Sequence, residues 1–266
     1  VTRFASDTAV AASGGGRYTA TIDPGWWIER GPNGGYLAAI VLRAVLAEVA
    51  DPDRRPRSMT LHYLRPPVAG PCGVAVVVER AGRGLTTVSA RLEQDGRSCI
   101  LALVALGLDR PGPELHDHPA PPVPPPDEVA VPERPATGAP DIAFRHRYEL
   151  RPAMGAAPFT AGPEALSGGW IRTAESDPVD DVLVAAITDA WPPAVFSRLD
   201  LPVGVPTVEL TIHFRGRPSG TPGWCLVRFR SLEATAGYLD EHGEVWAEDG
   251  TLLAESRQLA VLLAPG

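Results

Sequence analysis

Two stretches, GGYLAAIVLRA (Gly34–Ala44) and DDVLVAAITDA (Asp180–Ala190), decide how this chain is read, because they are two versions of one apolar segment. Laid over each other, they align Gly34 with Asp180 and Arg43 with Asp189. In each, apolar side chains occupy much of a helix circumference, the pattern of a buried helix rather than a surface one. The first continues to Val49 behind Asn33, a residue suited to N-capping, and Gly34 and Gly35 leave the first-turn N–H groups open to a ligand. The second runs into Trp191, Pro192 and Pro193. A proline lacks an N–H and clashes with the preceding turn, so the spacing puts Asp189 in the last helical turn, facing the dipole end that disfavours an acid. Asp180 and Asp181 stand at the opposite end, where carboxylates cap and suit the dipole.

The repetition extends outward from both helices. RYTATID (17–23) alternates as a strand before the first helix, and four β-rich runs follow it: RSMTLHYLRP (57–66), CGVAVVVERAG (72–82), LTTVSARLEQ (85–94) and SCILALVALG (98–107). Asp95-Gly96 joins the last two with a type I′ hairpin signal. Around the second helix the same order returns, with HRYELRP (146–152) and GGWIRT (168–173) before it. TVELTIHFRGRP (207–218), WCLVRFRSLEA (224–234), GYLDEHGEVWAEDG (237–250) and TLLAESRQLAVLL (251–263) follow, with Asp249-Gly250 at the hairpin position. Setting TLHYLRP over TIHFRGRP aligns Thr60 with Thr211 and His62 with His213. The chain therefore reads as a duplicated α+β unit, each antiparallel sheet wrapped around its own long helix, with open edge strands that favour joining the halves into one sheet. Eleven of the 29 prolines fall within residues 111–140, which reads as an extended linker between an N-terminal unit (1–110) and a C-terminal unit (141–266).

Composition excludes several classes of function. A net charge of −8 and the lack of a basic run argue against nucleic acid or an anionic membrane as partner. Cys72, Cys99 and Cys225 are few and scattered, without the spacing of a disulfide framework or a zinc site. The first sixteen residues lack a basic-then-apolar signal pattern and no run approaches ~18 apolar residues, so a cytoplasmic location is expected. No GxSxG elbow is present, which disfavours a serine hydrolase.

Taken in order, NGGYLAA, LHYLRPP, ERAGRGLTTVSARLEQDG, RYELRP, WIRTAESDPVDD, the helix ending in Asp189, TVELTIHF and EDGTLLAESRQ resemble the double-hotdog acyl-CoA thioesterases, specifically the thioesterase II family and its actinobacterial relatives. The resemblance implies hydrolysis of an acyl thioester by water, with no covalent intermediate, no metal and no organic cofactor. The positions matching the family's catalytic ones are Asp189, Thr207 and Gln258. A carboxylate orients water and takes its proton, and a hydroxyl and an amide hold that water toward the carbonyl carbon. The resemblance also implies substrate contact at the first helix start, Asn33, Gly34, Gly35 and Tyr36, with the Gly35 N–H as oxyanion donor at the positive dipole end. Because Arg43 replaces Asp189 in the first half, one composite site per chain is expected. The implied substrate is acyl-CoA or an acyl-phosphopantetheine, and the implied assembly is a homodimer or higher homo-oligomer.

Several features admit a plainer reading. Strict alternation in TVELTIHF puts Thr207 on the face opposite Val208, Leu210 and Ile212, away from the helix, unless a bulge intervenes. Gln258 lies in an apolar run and needs a partner if buried. His62 and His213 read as a shared packing position, and His116 and His118 as part of a solvated loop. Trp26, Trp27 and Tyr36 suit either an acyl tunnel or the core, and Arg65, Arg83, Arg215 and Arg217 are candidates for CoA phosphates. Two other functions compete with hydrolysis: a non-catalytic acyl-CoA-binding hotdog protein, and a hotdog enoyl-CoA hydratase or dehydratase, which needs a histidine that neither helix contains.

Overall fold

A computed structural model describes residues 1–29, 31–132 and 142–263, so the linker residues 133–141 lie outside the described part. The first half comprises α1 (Arg3–Asp7), β1 (Ala11–Gly14), β2 (Arg17–Ile22), α2 (Gly34–Val49), β3 (Arg55–Tyr63), β4 (Gly70–Ala81), β5 (Leu85–Gln94) and β6 (Arg97–Gly107). The second comprises β7 (Tyr148–Met154), β8 (Leu166–Thr173), α3 (Asp181–Ile187), β9 (Thr207–Phe214), β10 (Cys225–Arg230), β11 (Ala234–Thr235), β12 (Tyr238–Ala247) and β13 (Leu252–Val261). The sequence pattern does not mark the short α1 and β1.

The strands form one sheet in the order β1-β2-β4-β5-β6-β3-β9-β13-β12-β10-β8-β7, with β11 on β12. The halves thus repeat one order, β2-β4-β5-β6-β3 and β8-β10-β12-β13-β9, joined through antiparallel β3 and β9. At that seam Thr60 pairs with Thr211, and their hydroxyls lie 2.9 Å apart. The residues that align in sequence therefore meet in space on the pseudo-twofold axis. The β5–β6 hairpin carries positive φ at both Asp95 and Gly96, as a type I′ turn demands. In the β12–β13 hairpin only Gly250 of the pair does so.

The sheet curls around α2 and α3, which pack on each other. Ten residues of α2, Gly35 to Leu42 with Ala44 and Val45, are buried, as the all-round apolar pattern requires. A fully buried Leu or Ile such as Leu42 or Ile40 contributes about 1.5–3 kcal/mol relative to exposure. The helices are not equal: α2 has 16 residues, whereas α3 has 7. The expected second long helix is a short one. Thr188 turns its hydroxyl back onto the Ala185 carbonyl at 2.8 Å, and Asp189 N and Ala190 N bond Ala186 O and Ile187 O in tighter i→i+3 contacts. Asp189 consequently lies in a turn two residues beyond α3, not within its last helical turn. Pro192 and Pro193 then lead the chain away.

Linker residues 111–132 run over the second half. Ala120, Val123 and Val129 pack on Trp170, Leu226 and Trp246, and Trp170 donates its indole N–H to Pro124 O at 2.8 Å. His116 and His118 are both exposed in this loop, as expected, and His118 also stacks its ring on Trp246 with its Nε2 2.7 Å from Glu244.

Candidate active site

The site forms where the start of α2 meets the end of α3. Asn33 caps α2 by accepting the Tyr36 N–H at 2.9 Å, and its amide donates to both Asp189 O (2.7 Å) and Asp189 Oδ2 (3.1 Å). The Gly35 N–H donates to the same Oδ2 at 3.0 Å. Asp189 thus follows the negative end of α3 but sits on the positive end of α2, which accounts for an acid in that position. The glycines serve close approach more than openness. A Cβ on Gly35 would overlap the Ala186 carbonyl, and one on Gly34 would lie 2.8 Å from Asp189 Oδ2. Tyr63, at the end of β3, donates its hydroxyl to Gly34 O at 2.9 Å and steadies this helix start.

From the sheet side, Gln258 donates its amide to Asp189 Oδ1 at 3.3 Å and to Thr207 Oγ1. Strand register explains how Thr207 reaches it. Gln258 pairs with Leu210 and Leu259 with Glu209, but Ala260 pairs with Thr207, leaving Val208 as an extra residue in a bulge. Paired residues share a face, so Thr207 joins Gln258 and buried Leu210 on the side facing the helices. Strict alternation puts it on the other side, and the bulge reverses that. A matching irregularity between Pro56 and Ser58 in β3 shows that the bulge belongs to the repeat.

Burial pushes the Asp189 carboxyl up to about 6, while the Gly35 amide, Gln258, the Gly34 amide and Asn33 pull it down. The residue as a whole is half-buried. Desolvation, rather than the α3 dipole, is what raises its proton affinity. Such a group is ionised at neutral pH and still basic enough to accept a proton from water.

Asp189, Thr207, Gln258, Asn33, Gly34 and Gly35 therefore converge. Tyr36 contributes only its capped N–H: its ring stacks on Trp26 at 4.9 Å, and its hydroxyl accepts the Asp23 N–H and lies 2.9 Å from Asp7 O. Trp26 and Tyr36 are core residues, not the walls of a tunnel. The Gly35 N–H, expected to face a carbonyl oxygen, is occupied by Asp189, because the nearest full negative charge claims it. His62 and His213 are exposed on paired strands rather than packed. Arg215 and Arg217 pair with Glu255 and Asp109 at 2.7 Å each.

The first half holds no counterpart to this set. The pseudo-twofold carries Gln258, paired with Leu210, onto Val104, paired with Met59, and carries Thr207 onto Pro56. Arg43, opposite number of Asp189, bonds Thr8 through Nε at 2.7 Å and lies over the Phe4 ring. Sequence reasoning missed two residues, Tyr63 and Glu241. Glu241 is buried, pairs across strands with Gln258, and accepts the Ala194 N–H at 2.5 Å. Its signal was legible: period two places it on one face with Leu239 and Val245, an acid in an apolar row.

Among known proteins, the chain aligns over its full length with a hot dog protein of unknown function from Alicyclobacillus acidocaldarius, at 28% identity, 100% coverage of both chains and a TM-score of 0.89. A provisional thioesterase II from Thermobifida fusca aligns at 29% identity, covering 99% of this chain and 98% of that one, with a TM-score of 0.84. An uncharacterized Mycobacterium tuberculosis protein is 25% identical over 262 residues, covering 90% of this chain and 88% of its own. Residues 23–107 match the acyl-CoA thioesterase N-terminal domain, and residues 120–262 match the C-terminal domain. With both domains matched in order around one hot dog sheet, the chain belongs to the acyl-CoA thioesterase family.

Proposed function

We propose that this thioesterase hydrolyses an acyl-CoA, or an acyl group on the same phosphopantetheine arm, with water activated by Asp189. The observation that carries the proposal is the convergence on Asp189 of Gln258 and Asn33, with Thr207 behind Gln258 and the start of α2 beneath. Asp189 takes a proton as the water oxygen bonds the thioester carbon. Thr207 and Gln258 orient that water, and collapse of the tetrahedral adduct breaks the C–S bond, with the proton passing to the leaving thiolate. Gly34 and Gly35 are proposed as substrate-facing amides. A thioester oxygen approaching the Gly35 N–H would draw it from Asp189 Oδ2 and make the carboxylate more basic as it takes the proton.

Free, buried Cys72, Cys99 and Cys225 support a reducing, cytoplasmic setting, and the open edge strands β1 and β7 favour homo-oligomers. Among the described residues, no helix is long and apolar enough to cross a membrane. The test is thiol release across an acyl-CoA chain-length series. Asp189→Asn is expected to lower kcat by about 10²-fold or more. A folded Asp189→Asn enzyme with the wild-type rate overturns the assignment.

A further inference from the structure

We propose that Glu241 is a positioning residue for this site: one carboxyl oxygen holds the turn that carries Asp189, and the other bonds the Gln258 amide oxygen across the β12–β13 pair, turning the amide NH2 toward Asp189 and Thr207. The inference rests on the hydrolytic reading. Its first half starts from an observed contact five residues after Asp189. Pro192 and Pro193 have no N–H, so Ala194 is the first residue after Trp191 able to anchor the segment, and its N–H reaches Glu241 at 2.5 Å. The second half follows from register and from donor accounting. Glu241 and Gln258 are direct cross-strand partners, which brings their Cβ atoms within about 5.5 Å on one face. The Gln258 NH2 is committed to Asp189 and Thr207, so the amide group presents an acceptor oxygen to its other neighbours. Only a protonated carboxyl can donate to that oxygen.

The surroundings favour that form. Among the described residues, no arginine forms an ion pair with Glu241, and the charged groups bearing on it are Asp189 from the turn after α3 and Asp240 from its own strand. Burial pushes the carboxyl up to about 8, opposed by the Ala194 N–H and reinforced by the two acids. Near neutral pH Glu241 is therefore a neutral donor beside an ionised Asp189, two carboxyls separated in proton affinity by their environments.

The test compares Glu241→Ala and Glu241→Gln in the full-length enzyme by pH profiles of kcat and KM. Asp189 ionisation is followed separately by infrared titration, as the difference from Asp189→Asn. Glu241→Ala is expected to lower kcat at pH 7 by about tenfold with KM within about threefold, and to raise the pH at which Asp189 ionises, because Gln258 loses its orientation. The wild type is expected to decline above pH 8 as Glu241 ionises, whereas Glu241→Gln, which accepts from Ala194 and donates to Gln258 without ionising, is expected to rescue most of kcat and to show no such decline. A folded Glu241→Ala enzyme with the wild-type kcat and Asp189 titration overturns the proposal. So does Glu241→Gln that is as impaired as Glu241→Ala, or that keeps the alkaline decline, which decides the matter even if the alanine variant does not fold. The infrared readout needs no substrate. Absence of acyl-CoA turnover in the wild type would count against hydrolysis, and the Asp189 titration would still test Glu241.

Discussion

Replacing Asn33 with serine separates the two jobs that Asn33 performs. Serine keeps the N-cap, because its hydroxyl accepts the Tyr36 N–H as the asparagine oxygen does. It removes the amide that donates to Asp189 Oδ2 at 3.1 Å and to Asp189 O at 2.7 Å. A hydrogen bond to a charged group contributes about 1.5–3 kcal/mol, and about 1.36 kcal/mol corresponds to one pKa unit. Taking the lower end, Asp189 moves from about 6 to roughly one unit higher. The base must be ionised, so at pH 6 the active fraction drops from about one half to about one eleventh, a loss of roughly fivefold, while at pH 8 the loss is only about 1.1-fold. The assay is kcat/KM by thiol release from pH 5 to 9, with thermal unfolding to check the cap. An acid limb that stays in place while the melting temperature is preserved would refute the reasoning, since either Asn33 does not tune Asp189 or Asp189 is not the titrating base.

Gly35→Ala forces a methyl group onto the Ala186 carbonyl at the α2–α3 contact and is expected to destabilise the fold by about 1–3 kcal/mol in urea unfolding. Arg55→Ala leaves Asp181 without the guanidinium that meets it at 2.7 Å in a largely buried pair, and should cost about 3–5 kcal/mol by the same measurement. Glu241→Gln should flatten the pH dependence of stability: the wild-type carboxyl is raised in the folded state, so its contribution is full below about pH 4.5 and declines by about 1.4 kcal/mol per unit until pH 8. Equal slopes for the two proteins across that window would contradict the burial of a protonated acid.

Much of the fold was legible because its two signals are periodic and repeated. The all-round apolar pattern of α2 and the strand runs on either side of the linker predict the element order, and the alignment of Thr60 with Thr211 in sequence anticipates their pairing in space. What escaped was set by local exceptions to periodicity. The pattern of Val182 to Ala190 does not reveal that Thr188 ends α3 early by bonding back to Ala185. Alternation in β9 fails at Val208 because a bulge is a property of two strands and their register, which one strand's sequence does not carry. The triad of Asp189, Thr207 and Gln258 was recognisable by resemblance, whereas Tyr63 acts through a contact distant in sequence and Glu241 through one cross-strand partner and the Ala194 turn.

The position of Asp189 also explains why the duplicated fold is used unequally. An acid after α3 is unfavourable within its own half, and it becomes tolerable only because the amides at the start of α2 and Asn33 come from the other half. The reverse arrangement would need an acid in place of Arg43 meeting the start of α3, but that start already carries Asp180 and Asp181, with Asp180 capping through Leu183 N and Asp181 held by Arg55. An acid there would face like charge instead of free amides, whereas Arg43 favours the ionised form of Asp180. Glycines at one helix start and aspartates at the other thus fix which half supplies the base. Pro56 and Val104, standing where Thr207 and Gln258 stand in the second half, follow from that choice, since a polar pair there would have no carboxylate to serve.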